Sequence, residues 1–214
     1  MAGHGASAGV QGLMTSGSGR MMRRKWMVAL PLMAALLSGC GSKANNDTFD
    51  LSLTPSGAGP SARNRQILVP EPTAVKMLDS EQVVVRVSAS EVQYLANSRW
   101  SDRLPRLVQS KLVEAFENSK RLGGVGKPGQ GLAIDYQIVT DIRNFEVTSD
   151  GNRFANVEIS AKLLNDRNGT VKAQNVFRAS VPIVGTENRR FIEALDKAFA
   201  KVGTEMVDWA LKSM

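Results

Sequence analysis

Apolar residues occupy alternate positions through most of the second half of the chain. Leu132, Ile134, Tyr136, Ile138 and Ile142 share even positions, and the apolar set then moves to Phe145 and Val147. A period of two marks a strand with one buried face, and the change of parity predicts a β-bulge near Arg143-Asn144. Asp150-Gly151 is a hairpin turn signal. Beyond it Ala155, Val157, Ile159, Ala161 and Leu163 alternate with polar residues. Asn165 to Gly169 turns the chain into a third strand, where Ala173, Phe177, Ala179, Val181 and Ile183 keep odd parity.

Two stretches follow the helical period instead. Trp100, Leu104, Leu107, Val108, Leu112, Ala115 and Phe116 recur at spacings of three and four, with Pro105 in the first turn and Gly123-Gly124 as the stop. Phe191, Leu195, Ala198, Phe199, Val202, Met206 and Trp209 define a longer amphipathic helix running almost to the C-terminus. Upstream, Gln66 to Val69 and Gln82 to Val87 read as strands. Strands with one apolar face need a cover, and the two helices supply it. The expected fold is α+β, a two-layer sandwich in which an antiparallel sheet is covered by two amphipathic helices.

The first 64 residues read differently. Gly41 to Asn64 is rich in Ser, Gly, Asn, Ala and Pro, with only Phe49, Leu51 and Leu53 alternating. Residues 40–64 are therefore expected to be a flexible tether carrying one short strand, and residues 65–214 the folded domain. Ahead of the tether, Arg23-Arg24-Lys25 precedes an apolar run from Trp26 to Leu37 that is too short to span a bilayer. This is the layout of a signal peptide over residues 21–39, with residues 1–20 expected to be a disordered start-site extension. Leu37-Ser38-Gly39-Cys40 resembles the bacterial lipobox, which implies cleavage between Gly39 and Cys40 and acylation of the Cys40 thiol. Triacylation would anchor the chain durably, since each buried CH₂ contributes about 0.8 kcal/mol.

Processing changes what the charge balance means. The whole chain carries 27 Lys and Arg against 20 Asp and Glu, a formal net charge of +7. Residues 1–39 hold four of the bases and none of the acids, so the processed chain is +3. No basic nucleic-acid patch is inferred. Cleavage also removes His4, the only histidine, and lipidation uses Cys40, the only cysteine. A domain without imidazole or free thiol has no Ser-His-Asp or Cys-His catalysis, no ordinary zinc site and no disulfide. Neither a metal site nor a cofactor is expected.

Several motifs fail on context. Gly5-Ala6-Ser7-Ala8-Gly9 has nucleophile-elbow spacing without the flanking strand and helix. Gly124-Val125-Gly126-Lys127-Pro128-Gly129 has dinucleotide-loop spacing but follows a helix, so it reads as a helix-to-strand loop. Asp135 and Asp141 share one strand's polar parity, which is ordinary for a wet sheet face.

Three stretches carry a family resemblance: Ile67-Leu68-Val69-Pro70-Glu71-Pro72; Glu91 to Leu95 with Ser98-Arg99-Trp100-Ser101-Asp102-Arg103-Leu104-Pro105-Arg106-Leu107-Val108; and Leu112 to Ser119. With the lipobox ahead, the chain from about residue 49 to 210 resembles the ABC-type transport auxiliary lipoproteins, PqiC-like partners of MCE (mammalian cell entry) transport systems. The resemblance implies a non-enzymatic lipoprotein at the periplasmic face of the outer membrane of a Gram-negative bacterium. There it would dock an MCE-domain conduit that moves phospholipid or other hydrophobic compounds, and it would form a ring-like homo-oligomer. Gly41 after the cysteine is compatible with outer-membrane sorting.

Tyr94, Arg103 and Arg106 are the candidate partner contacts, because aromatic and Arg side chains are favoured at interfaces and the two arginines fall off the buried helix stripe. Ordinary solvated surface is the competing explanation. Two other functions stay open: a stand-alone periplasmic lipoprotein binding lipid or peptidoglycan or serving envelope assembly, and a carboxylate-dependent hydrolase. The second lacks a convergent acid cluster.

Overall fold

The computed structural model describes residues 46–55, 59–149 and 151–214. Its spine is the hairpin pair expected from the alternation. In the order of the chain the strands are β1 (Asp47–Phe49), β2 (Ala62–Leu68), β3 (Thr73–Ala74), β4 (Gln82–Arg86), β5 (Val92–Trp100), β6 (Leu122–Gly126), β7 (Tyr136–Thr148), β8 (Phe154–Asn165) and β9 (Val171–Pro182). Helix α1 (Leu104–Asn118) follows β5, and α2 (Asn188–Ser213) closes the chain.

β7, β8 and β9 form an antiparallel meander. The β7–β8 register shifts between Ile142 and Asn144, so Arg143 is the extra residue of the expected bulge. That shift lets Ile138 and Ile142 on one side of it and Phe145 and Val147 on the other all reach the core at 0–1% exposure.

The sheet is mixed, which corrects the antiparallel expectation. The other edge of β7 receives three short parallel strands end to end: β2 at Tyr136-Gln137, β3 at Asp141-Ile142 and β4 at Glu146 to Thr148. Laid head to tail along one partner, they need no helical crossover of the kind that joins neighbouring parallel strands. β5 then pairs antiparallel with β4, and β1 and β6 add parallel partners to β5 and β2.

Both helices form, with shifted bounds. Trp100 ends β5 instead of opening α1, and it packs edge-on to Phe145 at 5.7 Å. α1 begins at Leu104 with Pro105 in its first turn, where the missing N–H has no intrahelical role. It ends at Asn118, not at the glycines: Ser119 Oγ donates to Phe116 O at 2.6 Å and Lys120 takes a left-handed φ of 53°. Gly123 and Gly124 lie in β6, so the first half of the segment read as a loop, Gly124 to Gly126, is strand. A Cβ on Gly123 would run into the Arg63 carbonyl oxygen of β2, so this ladder needs glycine there. α2 lies on the odd face of the meander, with Phe199 6.0 Å from Phe145 and Trp209 5.6 Å from Phe177.

The expected tether is mostly body. Leu51 and Leu53 are buried at 3% and 8% exposure, and β1 pairs with Ser98 to Trp100. Asp50 ties this segment to α1 through Lys111 Nζ at 2.9 Å. Ser52 ties it to α2: its N–H and Oγ donate to Asp196 at 2.6 and 2.7 Å. Gly203 leaves room for Leu53, whose Cδ atoms would sit 2.7 Å from a Cβ placed there. Every buried apolar side chain of the described core comes from between Leu51 and Leu211, so the domain from residue 46 onward packs on itself.

Candidate interaction surface

Two of the stretches that carry the family resemblance, Ile67 to Pro72 and Ser98 to Val108, meet around the start of α1. Arg103 caps the helix from a non-helical backbone conformation, and its guanidinium spans two upstream segments. Nε donates to Asp79 Oδ1 at 2.9 Å, Nη2 makes a second contact to the same oxygen, and Nη2 lies 3.1 Å from Glu71 Oε1. The Asp79 hydrogen bonds lead in holding the Arg103 guanidinium above its ordinary pKa. Nearly two turns further, the buried Gln109 donates from Nε2 to Val69 O at 2.9 Å. The Val69-Pro70-Glu71 segment is thus stitched to α1 by one amide and one ion pair.

Arg103 therefore has an intramolecular task that explains it. Arg106 is freer: its side chain is 57% exposed and its pair with Asp102, one helical turn back, is 3.7 Å long. Such an exposed pair contributes about 0–1 kcal/mol. Arg106 remains available to a partner.

Tyr94 stands elsewhere, on β5, at 45% exposure. The registers place it in a ladder that crosses the sheet: Tyr94 beside Val84, Val84 beside Glu146, Glu146 beside Asn156 and Asn156 beside Ser180. Phe145 and Phe177, one and three residues away from this ladder and so on the opposite face, are the ones that touch α2. Tyr94 is therefore on the sheet face turned away from α2. The same face holds Glu146, buried at 2% exposure and bound by Arg86 through two hydrogen bonds of 2.5 and 2.9 Å. Those bonds to Glu146 raise the Arg86 pKa. Next to them a hollow of about 410 Å³ is lined by Asn144, Asn156, Glu158, Arg178 and Ser180, with Val157 and Ala179.

Asp135 and Asp141 are placed as separate structural acceptors. Asp135 takes the Gln66 N–H at 3.0 Å and Asp141 takes the Thr73 hydroxyl at 2.8 Å, each pinning a parallel strand to the edge of β7. No group of three or more His, Cys, Asp and Glu side chains arranged to hold a metal occurs among the described residues. Among them, too, no helix is long and apolar enough to cross a membrane. Gly39 and Cys40, the expected cleavage and lipidation site, lie outside the described residues. Glu71 and Asp79 were missed by sequence reasoning; the Pro-Glu-Pro turn was the available signal for Glu71.

A family model for the ABC-type transport auxiliary lipoprotein component matches residues 49–207. An uncharacterized protein of Bradyrhizobium diazoefficiens is 31% identical over 177 residues, covering 82% of this chain and 47% of that protein. The chain thus spans about half the length of that relative. A crystal structure of a DUF330-family protein from Xanthomonas campestris, XCC0632, is similar with a TM-score of 0.71 at 28% identity, covering 78% of this chain and 94% of that one. A second crystal structure, of an uncharacterized protein, shares the fold with a TM-score of 0.61 at 16% identity, over 76% of this chain and 97% of that one.

Proposed function

Because the chain belongs to the ABC-type transport auxiliary lipoprotein components, we propose that it is the lipid-anchored, non-enzymatic docking module of such a transporter. Cys40, acylated after cleavage behind Gly39, holds it at the periplasmic face of the outer membrane. Its partner is an MCE-domain conduit, and the cargo is phospholipid or another hydrophobic compound. The observation that carries this reading is the family match beginning at Phe49, nine residues after the lipobox cysteine.

The leash is short. Only Gly41 to Asn46 separate Cys40 from β1. At about 3.3–3.6 Å per residue, Cys40 stays within roughly 25 Å of Asp47. A domain held so close presents itself to a partner at the membrane instead of sampling the periplasm.

Tyr94 and Arg106 are the partner contacts in this reading, whereas Arg103 supports Arg106 by fixing the start of α1. Pull-down of an MCE-domain protein from the same bacterium by residues 41–214 tests it. Wild type should bind, and a Tyr94→Ala, Arg106→Glu double variant should bind at least about tenfold more weakly, the loss expected from about 1.4 kcal/mol of interface energy. Undiminished binding by the folded double variant removes these two residues from the interface. No binding by wild type counts against the transporter reading and favours the stand-alone lipoprotein.

A further inference from the structure

Five strands stop on one rung of the sheet. Arg86, the last residue of β4, pairs with Val92, the first of β5, and with Thr148, the last of β7. Thr148 pairs with Phe154, the first of β8, and Phe154 with Pro182, the last of β9. The sheet thus has a flush end, and the segments beyond it are tied down. Val87 N–H donates to Glu91 O at 3.0 Å, Ile183 N–H to Arg153 O at 3.0 Å, and Arg153 Nη1 to Gly185 O at 2.9 Å. Val184 is 84% exposed here, more than any other large apolar side chain among the described residues. Exposed Val92 and half-buried Phe154 stand on the rung itself. Exposed Arg153 keeps guanidinium N–H groups beyond the one given to Gly185, but Glu91 and Glu187 lie beside the same rung, so this end does not recognise its partner by net positive charge.

The route of the chain into the body says what covers this end. β1 runs parallel to β5 with Asp47 beside Ser98, so the chain arrives at Asp47 from the Val92 side. Ser98 is six residues along β5 from Val92, which puts Asp47 about 20 Å from the flush end at about 3.3 Å per residue. Cys40 reaches at most roughly 25 Å from Asp47. Continued in the direction from which it enters, that length brings Cys40 to the flush end and just past it. The opposite end is out of reach. Arg99 faces Gln82, two residues before the Val84 that faces Glu146, so Asp47 is level with about Asn144. From there β7 runs back about 26 Å to Tyr136, and the chain would first have to reverse its course.

We infer that the flush end seats on the phospholipid surface that holds the anchor, so that the sheet stands on the membrane with the Tyr136 end of β7 directed away from it. Val92, Phe154 and Val184 enter the boundary between headgroups and acyl chains, where apolar area is buried, and Arg153 meets lipid phosphate there. The inference rests on Cys40 as the point of attachment and adds to it an orientation and a second, non-covalent contact. Tyr94, two residues further into β5, is not part of this surface and stays with the protein partner.

Cys40 is the only cysteine of residues 40–214, so the leash can be attached in vitro at its natural length. The chain is coupled through that thiol to maleimide-bearing phosphatidylethanolamine in vesicles whose phosphatidylcholine carries bromine on its acyl chains. Bromine there quenches a tryptophan seated about 5–10 Å into the headgroup and acyl boundary, so Val184→Trp should lose at least about half of the emission it adds. Val171→Trp, at the other end of β9 and about 36 Å along the strand, should lose under about a tenth. Val184 and Val171 are both exposed, so neither substitution enters the core, and both chains should keep the wild-type circular dichroism spectrum. Equal quenching at the two positions overturns the inference, as does a Val184→Trp chain that is not quenched or a Val171→Trp chain that is quenched more. Because chemical coupling replaces acylation, those results refute the seating alone, whereas a Cys40 left unprocessed in the cell refutes the anchor.

Discussion

Leu51→Ala separates a tether from a strap. A leucine in a flexible tether is solvated, and truncating it leaves stability unchanged within about 0.5 kcal/mol. In the structure Leu51 is 3% exposed, next to the Asp50–Lys111 pair and the Ser52–Asp196 hydrogen bonds. Its truncation removes three carbons, about 2.4 kcal/mol of transfer free energy at about 0.8 per methylene, and a residual cavity adds to that. The sum is about 3 kcal/mol. For a domain of this size, each kcal/mol moves the melting temperature by about 2–4 °C, so a loss of about 6–12 °C is expected. Urea unfolding followed by tryptophan fluorescence reads the same loss in the midpoint, with the buried Trp100 and the half-buried Trp209 as reporters. Ser52→Ala, at an exposed hydrogen bond, is the control and should cost under about 1 kcal/mol. A Leu51→Ala midpoint equal to wild type would refute the strap and return the segment to the tether.

Phe199→Ala, at 0% exposure and against Phe145, should cost about 3–5 kcal/mol by the same assay; a wild-type midpoint would show that this face of α2 is not core. Gly123→Ala should destabilise by about 1–3 kcal/mol, because a Cβ meets backbone that cannot step aside, and hydrogen exchange should locate the loss in β2 and β6. Burial pushes the Asp50 carboxyl up, but hydrogen bonds from Lys111, Leu51 N–H and Ser101 outweigh it and leave its pKa lowered. A carboxyl lowered in the folded state stabilises above its unfolded value of about 3.9, and that contribution is lost as pH falls through the folded value. Lys111→Met should therefore flatten the stability loss below about pH 4, and an unchanged acid limb would remove this pair from the account.

The meander and α2 were legible because each presents one buried face at a fixed period over ten or more residues. Even the bulge at Arg143 was visible, as a change of apolar parity. β5 was not, since its own bulge, with Asn97 at a φ of 54°, breaks the alternation and Val92 and Tyr94 face solvent. β6 was hidden by its glycines, which are there to let β2 approach and so imitate a loop. The strap was misread for a different reason. The segment that carries Leu51 and Leu53 is held by α1 and α2, far away in sequence, and no local pattern announces Lys111, Asp196 or Gly203 as partners of Asp50, Ser52 and Leu53. The candidate contacts divide in the same way: Arg103 looked solvent-facing from its helix position, but Glu71 and Asp79 arrive from upstream turns to meet it.

An acyl anchor at Cys40, a few residues from a folded body, is the central element of the proposed function. The intact mass of C-terminally tagged protein extracted from membranes, with peptide mapping of its N-terminus, tests this directly. The expected result is a chain starting at Cys40 and carrying acyl groups on that residue, and a Cys40→Ser chain that keeps its leader and takes no lipid. A membrane-extracted wild-type chain that retains residues 1–39, or whose Cys40 is unmodified, would contradict it.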